Sequence, residues 1–210
     1  FYVDSGRFSA AKAILEPALQ LYPGDNQLLM LMAAVHQGYQ DNQSAMECLE
    51  RVNPAQITTF KDAITLANTA MNLGHYHLAA AVLEPYELIN KLEPENRILL
   101  ARAYYYQDNL DRAERILDGL IRESVQDRMI YFTLGNIKDR QNQLREAIPL
   151  WEKAIEVDPD YCEAYFNIGV AYYKQENIQK AREYWQKVLL LRPDSHILRA
   201  TEDALSATEF

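Results

Sequence analysis

Residues 162–195 read CEAYFNIGVAYYKQENIQKAREYWQKVLLLRPDS, and the spacing inside this stretch decides the fold. Trp185 follows Ala181 by four places and Val188 follows it by seven, offsets that share one face of an α-helix. Upstream, Ile168-Gly169 sets a large residue beside a very small one in what reads as a second helix, expected to let two backbones approach closely. The stretch recurs. Ala181 is the last of six alanines 34 residues apart, the others being Ala11, Ala45, Ala79, Ala113 and Ala147. Leu15, Leu49, Leu83, Leu117 and Trp151 repeat the fourth place, and Ala18, Val52, Tyr86, Leu120 and Ala154 the seventh. Met32-Ala33, Leu66-Ala67, Leu100-Ala101 and Leu134-Gly135 repeat the large-small pair. The chain is therefore expected to be all-α, an elongated solenoid of antiparallel helix pairs in which each unit buries surface only against its neighbours.

Periodicity and punctuation predict helices over 9–21, 26–38, 43–52, 58–73, 77–89, 94–107, 110–123, 127–140, 144–157, 162–175, 178–191 and 196–210, the last fraying over 206–210. Residues 1–5 read as the last turn of a helix whose beginning is missing, with Gly6-Arg7 as a turn. Asp108-Asn109, Gln141-Asn142 and Glu176-Asn177 supply turn residues that tolerate a left-handed backbone. Asp158-Pro159-Asp160 and Arg192-Pro193-Asp194-Ser195 combine a helix stop with a cap for the next start. One array over 1–210 results: a truncated unit at 1–25, repeats at 26–59, 60–93, 94–127, 128–161 and 162–195, and a capping helix at 196–210.

A net charge of −9 repels a phosphate backbone or an anionic bilayer, so nucleic acid is a poor partner for this chain. No stretch approaches the roughly 18 apolar residues of a membrane span. Phe1 is neither an initiator Met nor the start of a signal peptide, so the chain is expected to begin inside a larger protein or after processing. Compartment is left open, the cytoplasm being favoured. Cys48 and Cys162 are more than three repeats apart, beyond disulfide reach, and read as small hydrophobes in helix packing.

These residues resemble the tetratricopeptide repeat family. Tyr165, Ile168, Gly169, Tyr172, Ala181, Trp185 and Pro193 match its pattern of aromatic, Leu-Gly, Tyr, Ala, aromatic and Pro, with Ile in place of Leu. Tyr131, Leu134, Gly135, Ala147, Trp151 and Pro159 match it again, with Lys138 at the tyrosine position. Earlier units are more degenerate: Leu100-Ala101 with Tyr104 loses the glycine, and Leu66-Ala67 with Ala70 loses the aromatic. The resemblance implies a right-handed superhelix whose first helices line a concave groove for an extended peptide or a partner's helix.

Positions two, five, nine and twelve of each repeat face away from the packing side of the first helix. The expected groove is Asn68, Ile98, Arg102, Tyr105, Phe132, Asn136, Phe166 and Tyr173. Its aromatics would anchor a partner, while Arg102 and the asparagines would hydrogen-bond peptide backbone or a carboxylate. Chaperone-binding members of the family carry a clamp lysine at position five. Ile64, Ile98, Phe132 and Phe166 stand there in this chain, so that clamp is missing. Asn68, Arg102 and Asn136 instead form a polar track at position nine.

His75 and His77 lack the further ligands that zinc needs, and His36 reads as a satisfied packing residue. With no phosphate loop, nucleophile elbow or His-Glu-x-x-His pattern, the chain is read as a non-enzymatic adaptor without cofactor or metal. It would bind a protein or peptide ligand in its groove and organise a multiprotein complex. The alternative is a self-assembly module forming homo-oligomers through solenoid ends, with Phe1, Tyr2 and Phe8 stacking on another copy, or through the convex face.

Overall fold

Helices occupy nearly every predicted position in the computed structural model, which describes residues 7–191 and 193–208. In chain order they are α1 (Phe8–Leu21), α2 (Asn26–Gly38), α3 (Asn42–Glu50), α4 (Phe60–Asn72), α5 (Tyr76–Leu88), α6 (Pro94–Tyr106), α7 (Leu110–Arg122), α8 (Arg128–Arg140), α9 (Leu144–Val157), α10 (Cys162–Lys174), α11 (Ile178–Leu190) and α12 (Ser195–Ser206). No strand occurs among the described residues. A single 3₁₀ turn, Pro54–Gln56, fills part of the linker before α4 and had no sequence signal beyond Asn53-Pro54. The expected helical turn at 1–5, Gly6 of the first turn, Arg192 and the last two residues of the frayed end lie outside the described residues.

The chain divides into two units, Phe1–Ala113 and Glu114–Phe210, with the boundary falling within α7. In the first unit α1 packs on α2, α2 on α3, α4 on α5 and α5 on α6. In the second, α8 packs on α9, α9 on α10, α10 on α11 and α11 on α12. Connections this short make consecutive helices antiparallel.

The periodic residues are the core. Ala45, Ala79, Ala113, Ala147 and Ala181 are fully buried, and so are, or nearly so, Leu49, Leu83, Leu117, Trp151 and Trp185 four places on. The small residues of the first helices answer these side chains in volume. A Cβ on Gly135 would lie 2.5 Å from the Trp151 indole, and one on Gly169 would lie 2.4 Å from that of Trp185. The room at these glycines is therefore taken by a ring and not, as expected, by a second backbone. Sixteen residues before each Trp stands Gly, whereas sixteen before Leu49 and Leu83 stand Ala33 and Ala67, both fully buried. One methyl more on the first helix accompanies a smaller side chain on the second, which keeps packing density constant along the repeat.

Every first helix stops in the same way. Gln40, Gly74, Asp108, Asn142 and Glu176 have φ between 60° and 77°, and they recur at the 34-residue period. The amide after each reaches back to a helix carbonyl: Asp41 to His36, His75 to Ala70, Asn109 to Tyr104, Gln143 to Lys138 and Asn177 to Tyr172, at 2.7–2.9 Å. This is a Schellman ending, which satisfies carbonyls that the helix leaves unpaired. Glycine occupies the left-handed position once, so the other four residues carry a Cβ strain of about 1–2 kcal/mol, least for Asn and Asp. Replacing Gln40 by Gly should raise stability by about 0.5–1 kcal/mol once glycine's larger unfolded-state entropy is subtracted. Urea unfolding would measure it, and a destabilised Gln40→Gly would contradict the strain.

The next helices are capped where the turns end. Asp41 accepts from Ser44 N, His75 Nδ1 from Leu78 N, and Asn177 from Lys180 N. Asp194 caps α12 by accepting from His196 N and Ile197 N. Asp160 does not cap α10: Tyr161 holds that place without a side-chain bond, and Asp158 closes the turn by accepting from Asp160 N.

The outer edge of α10 and α11 is an aromatic and lysine ladder. Tyr172 and Tyr184 stack at 5.7 Å, with Lys180 4.9 Å above the first and Lys187 4.9 Å above the second. Burial, then the Glu152 carboxylate that accepts from its hydroxyl at 3.3 Å, pushes Tyr184 up to about 12. The unfolded hydroxyl ionises near 10, so below that pH both states are neutral and nothing is lost. Above it the unfolded state sheds a proton that the fold retains, and stability falls between pH 10 and 12. Tyr184→Phe should remove that part of the alkaline loss in melting curves taken from pH 9 to 12, and identical curves would contradict it.

Candidate functional site

The second unit brings four of the expected groove residues onto two neighbouring first helices. Phe132 and Asn136 lie one turn apart on α8, and Phe166 and Tyr173 lie two turns apart on α10. Phe132 and Phe166 are half-buried and Tyr173 is 44% exposed. Each ring rests on another. Phe132 meets Tyr161 edge-on at 4.9 Å, while Phe166 and Tyr173 lie 6.4 and 5.9 Å from the buried Trp185. Trp185 Nε1 also donates to the Phe166 carbonyl at 3.2 Å. Rings held this way lose little rotamer freedom when a partner covers them.

Asn136 is the polar centre of this face. Its Oδ1 accepts from Trp151 Nε1 at 3.0 Å and from Asn167 Nδ2 at 2.9 Å, which assigns the amide's orientation and leaves Nδ2 as the remaining donor. No bond from that Nδ2 is made among the described residues. Asp139 and Lys174 close the end of the face with an ion pair at 2.7 Å between α8 and α10. Both side chains are partly exposed, so the pair contributes at most about 1 kcal/mol and orders the rim more than it stabilises the fold. Asn167 and Lys174 were not anticipated. The signal that finds them is a sequence offset close to the repeat length, 31 for Asn136 with Asn167 and 35 for Asp139 with Lys174.

The first unit arranges its share differently. Ile98, Arg102 and Tyr105 form one stripe along α6, but Ile98 is 6% exposed and belongs to the core. Arg102 is half-buried and makes no ion pair among the described residues, whereas Tyr105 meets Tyr106 edge-on at 5.1 Å. Asn68 is exposed on α4 and donates to its own helix at the Ile64 carbonyl, 2.9 Å away.

The remaining chemistry-bearing residues have structural partners. His36 Nδ1 lies 3.2 Å from Asp41, whose carboxyl is held below its ordinary range by the bonds from Ser44 and then by His36. Both cysteines are free thiols. Cys48 is buried, which pushes its thiol up, and Cys162 donates to the Asp160 carbonyl at 3.4 Å. Among the described residues no group of three or more His, Cys, Asp or Glu side chains could hold a metal ion, and no helix is long and apolar enough to cross a membrane. Phe8, expected at an exposed end, has its ring over Gly38 and 5.9 Å from Tyr39.

Comparison with known proteins agrees with this architecture. Tetratricopeptide repeat models match residues 2–56, 135–176 and 162–195, and a model of anaphase-promoting complex, cyclosome, subunit 3 matches 38–120. No curated protein matches the chain by sequence. Among solved structures, MamA is 23% identical, with a TM-score of 0.60 over 77% of this chain and 94% of its own. YrrB, a TPR protein with an unusual peptide-binding site, is 18% identical, with a TM-score of 0.57 over 93% of this chain and 98% of its own. TTC0263, a thermophilic TPR protein of Thermus thermophilus, is 15% identical, with a TM-score of 0.65 over 86% of this chain and 99% of its own. At these identities the likeness concerns the fold. Repeated matches of the family's models, the 34-residue alanines and the glycine-indole pairs agree: the chain belongs to the tetratricopeptide repeat family.

Proposed function

We propose that this chain is a protein-binding adaptor whose α8–α10 face takes an extended peptide or a helix from a partner and so helps to organise a multiprotein complex. The family's fold generally serves protein–protein interaction through a concave groove, and YrrB is one member with a peptide-binding site. The observation that carries the reading is the Asn136 amide on the helix of Phe132, whose oxygen is held by Trp151 and by Asn167 of the Phe166 helix, and whose N–H donors have no partner among the described residues. A peptide carbonyl would take that donor while apolar side chains cover the rings. On the first unit, the Arg102 guanidinium, which makes no ion pair among the described residues, suits a carboxylate.

Self-association is the second reading. Leu21, Leu88 and Leu190, at the ends of α1, α5 and α11, are 75–81% exposed apolar side chains that a second copy could cover.

Crosslinking with mass spectrometry after capture of the intact chain from its native extract, beside the Phe132→Ala/Phe166→Ala variant, separates the two. Both rings are half-buried at the margin of the core, so the variant should stay folded by circular dichroism. A partner crosslinked near α8 and α10, lost in the variant, is the expected result. Self-crosslinks gathered at Leu21, Leu88 and Leu190, unchanged by the variant, would overturn it.

A further inference from the structure

A cavity of about 290 Å³ in the first unit is lined by Met46 and Glu50 of α3, by Gly74, His75, Tyr76 and His77 at the turn into α5, and by Tyr106 and Gln107 at the end of α6. Its residues belong to none of the expected groove positions, and its chemistry is of one kind. Tyr76 and Tyr106, both in the lining, stack at 4.4 Å with their rings 16° from parallel, so each covers one face of the other and the pair offers an aromatic wall only at its outer faces. Gln107 commits its Nε2 to the Tyr76 and Ala103 carbonyls, at 3.0 and 3.1 Å, so its Oε1 remains as an acceptor. Glu50 is exposed, and its carboxylate makes no hydrogen bond or ion pair among the described residues. Glu50 is also the one carboxylate among the described residues of the lining.

We infer that this cavity binds the guanidinium of an arginine side chain presented by a basic segment of a partner protein. The outer face of an aromatic pair, a carboxylate with no partner among the described residues and an amide oxygen suit a planar cation with a fork of N–H donors. The guanidinium stacks on the tyrosine wall and directs its donors to Glu50 and Gln107 Oε1. Lysine carries the same charge, but its ammonium is compact and strongly hydrated and gains less from a planar wall. A carboxylate or phosphate group is disfavoured, because it would meet the Glu50 carboxylate and the chain as a whole carries −9. This inference stands on the first unit alone and does not depend on the α8–α10 face.

The test is an NMR titration of the intact chain at pH 7.5 with N-acetyl-arginine N-methylamide, beside the lysine and norleucine analogues. Saturable shifts confined to the lining residues are expected, with arginine bound about fivefold more tightly than lysine and norleucine not bound. Glu50→Gln and Tyr106→Ala each alter an exposed side chain, so the fold should survive, and each should weaken arginine binding by about fivefold or more. Phe132→Ala/Phe166→Ala should leave this binding unchanged, which keeps failure here distinct from failure of the groove reading. Absence of saturable shifts, equal affinity for arginine and lysine, shifts centred elsewhere, or indifference to Glu50→Gln would each overturn it.

Discussion

Trp185→Ala is expected to cost about 3–5 kcal/mol of stability, the largest loss of any single truncation considered for this chain. The indole is 2% exposed, fills the space left by the missing Cβ of Gly169 and donates to the Phe166 carbonyl. An alanine there leaves a void that glycine cannot close. The same ring supports Phe166 and Tyr173, so the variant should also loosen the binding face. In a repeat protein each unit is held by its neighbours, and hydrogen exchange should therefore rise first in α10, α11 and α12. Guanidinium unfolding gives the magnitude. A loss below about 1 kcal/mol would contradict the packing role assigned to this residue.

Gly135→Ala is expected to cost about 1–3 kcal/mol, because the added methyl would stand 2.5 Å from two atoms of the Trp151 ring. That ring cannot swing aside freely: it is 2% exposed and its Nε1 is bonded to Asn136. The decisive comparison is the double variant Gly135→Ala/Trp151→Leu, which recreates the Ala-Leu pairing of Ala33 with Leu49 and of Ala67 with Leu83. Trp151→Leu alone leaves a void, and Gly135→Ala alone overfills the site. Together they should couple favourably by about 1 kcal/mol or more. Melting curves for the four proteins complete the cycle, and strict additivity would contradict the exchange of volume.

Much of this architecture was legible because packing between repeats imposes a period on the sequence. Ala45, Ala79, Ala113, Ala147 and Ala181 are buried for one reason, close contact between helices, and one reason repeated at fixed spacing is visible without coordinates. Helix limits followed from turn residues and fell within two residues of expectation, with α12 ending at Ser206, where fraying was expected to begin.

The candidate site was less legible. At 3.6 residues per turn, position five lies about 60° around the helix from the small residue at position eight, so it borders the buried stripe. Ile98 falls inside that border beside Ala101, whereas the larger Phe132 and Phe166, beside Gly135 and Gly169, keep part of their rings outside. Spacing places all three alike, and only side-chain size and the neighbouring ring separate them. The engagement of Asn136 by Trp151 and Asn167, and of Asn68 by its own helix, depends on rotamers that no periodicity encodes.

The central claim is that the α8–α10 face recognises a peptide, and selection from a display library of random peptides on the intact chain tests it most directly. Selected peptides should protect amides of α8 and α10 from hydrogen exchange on binding. In titration calorimetry, Phe132→Ala/Phe166→Ala should weaken them by about tenfold or more, as expected for the loss of two aromatic anchors. Peptides that bind the double variant as tightly as the parent, or that protect other helices instead, would contradict the account.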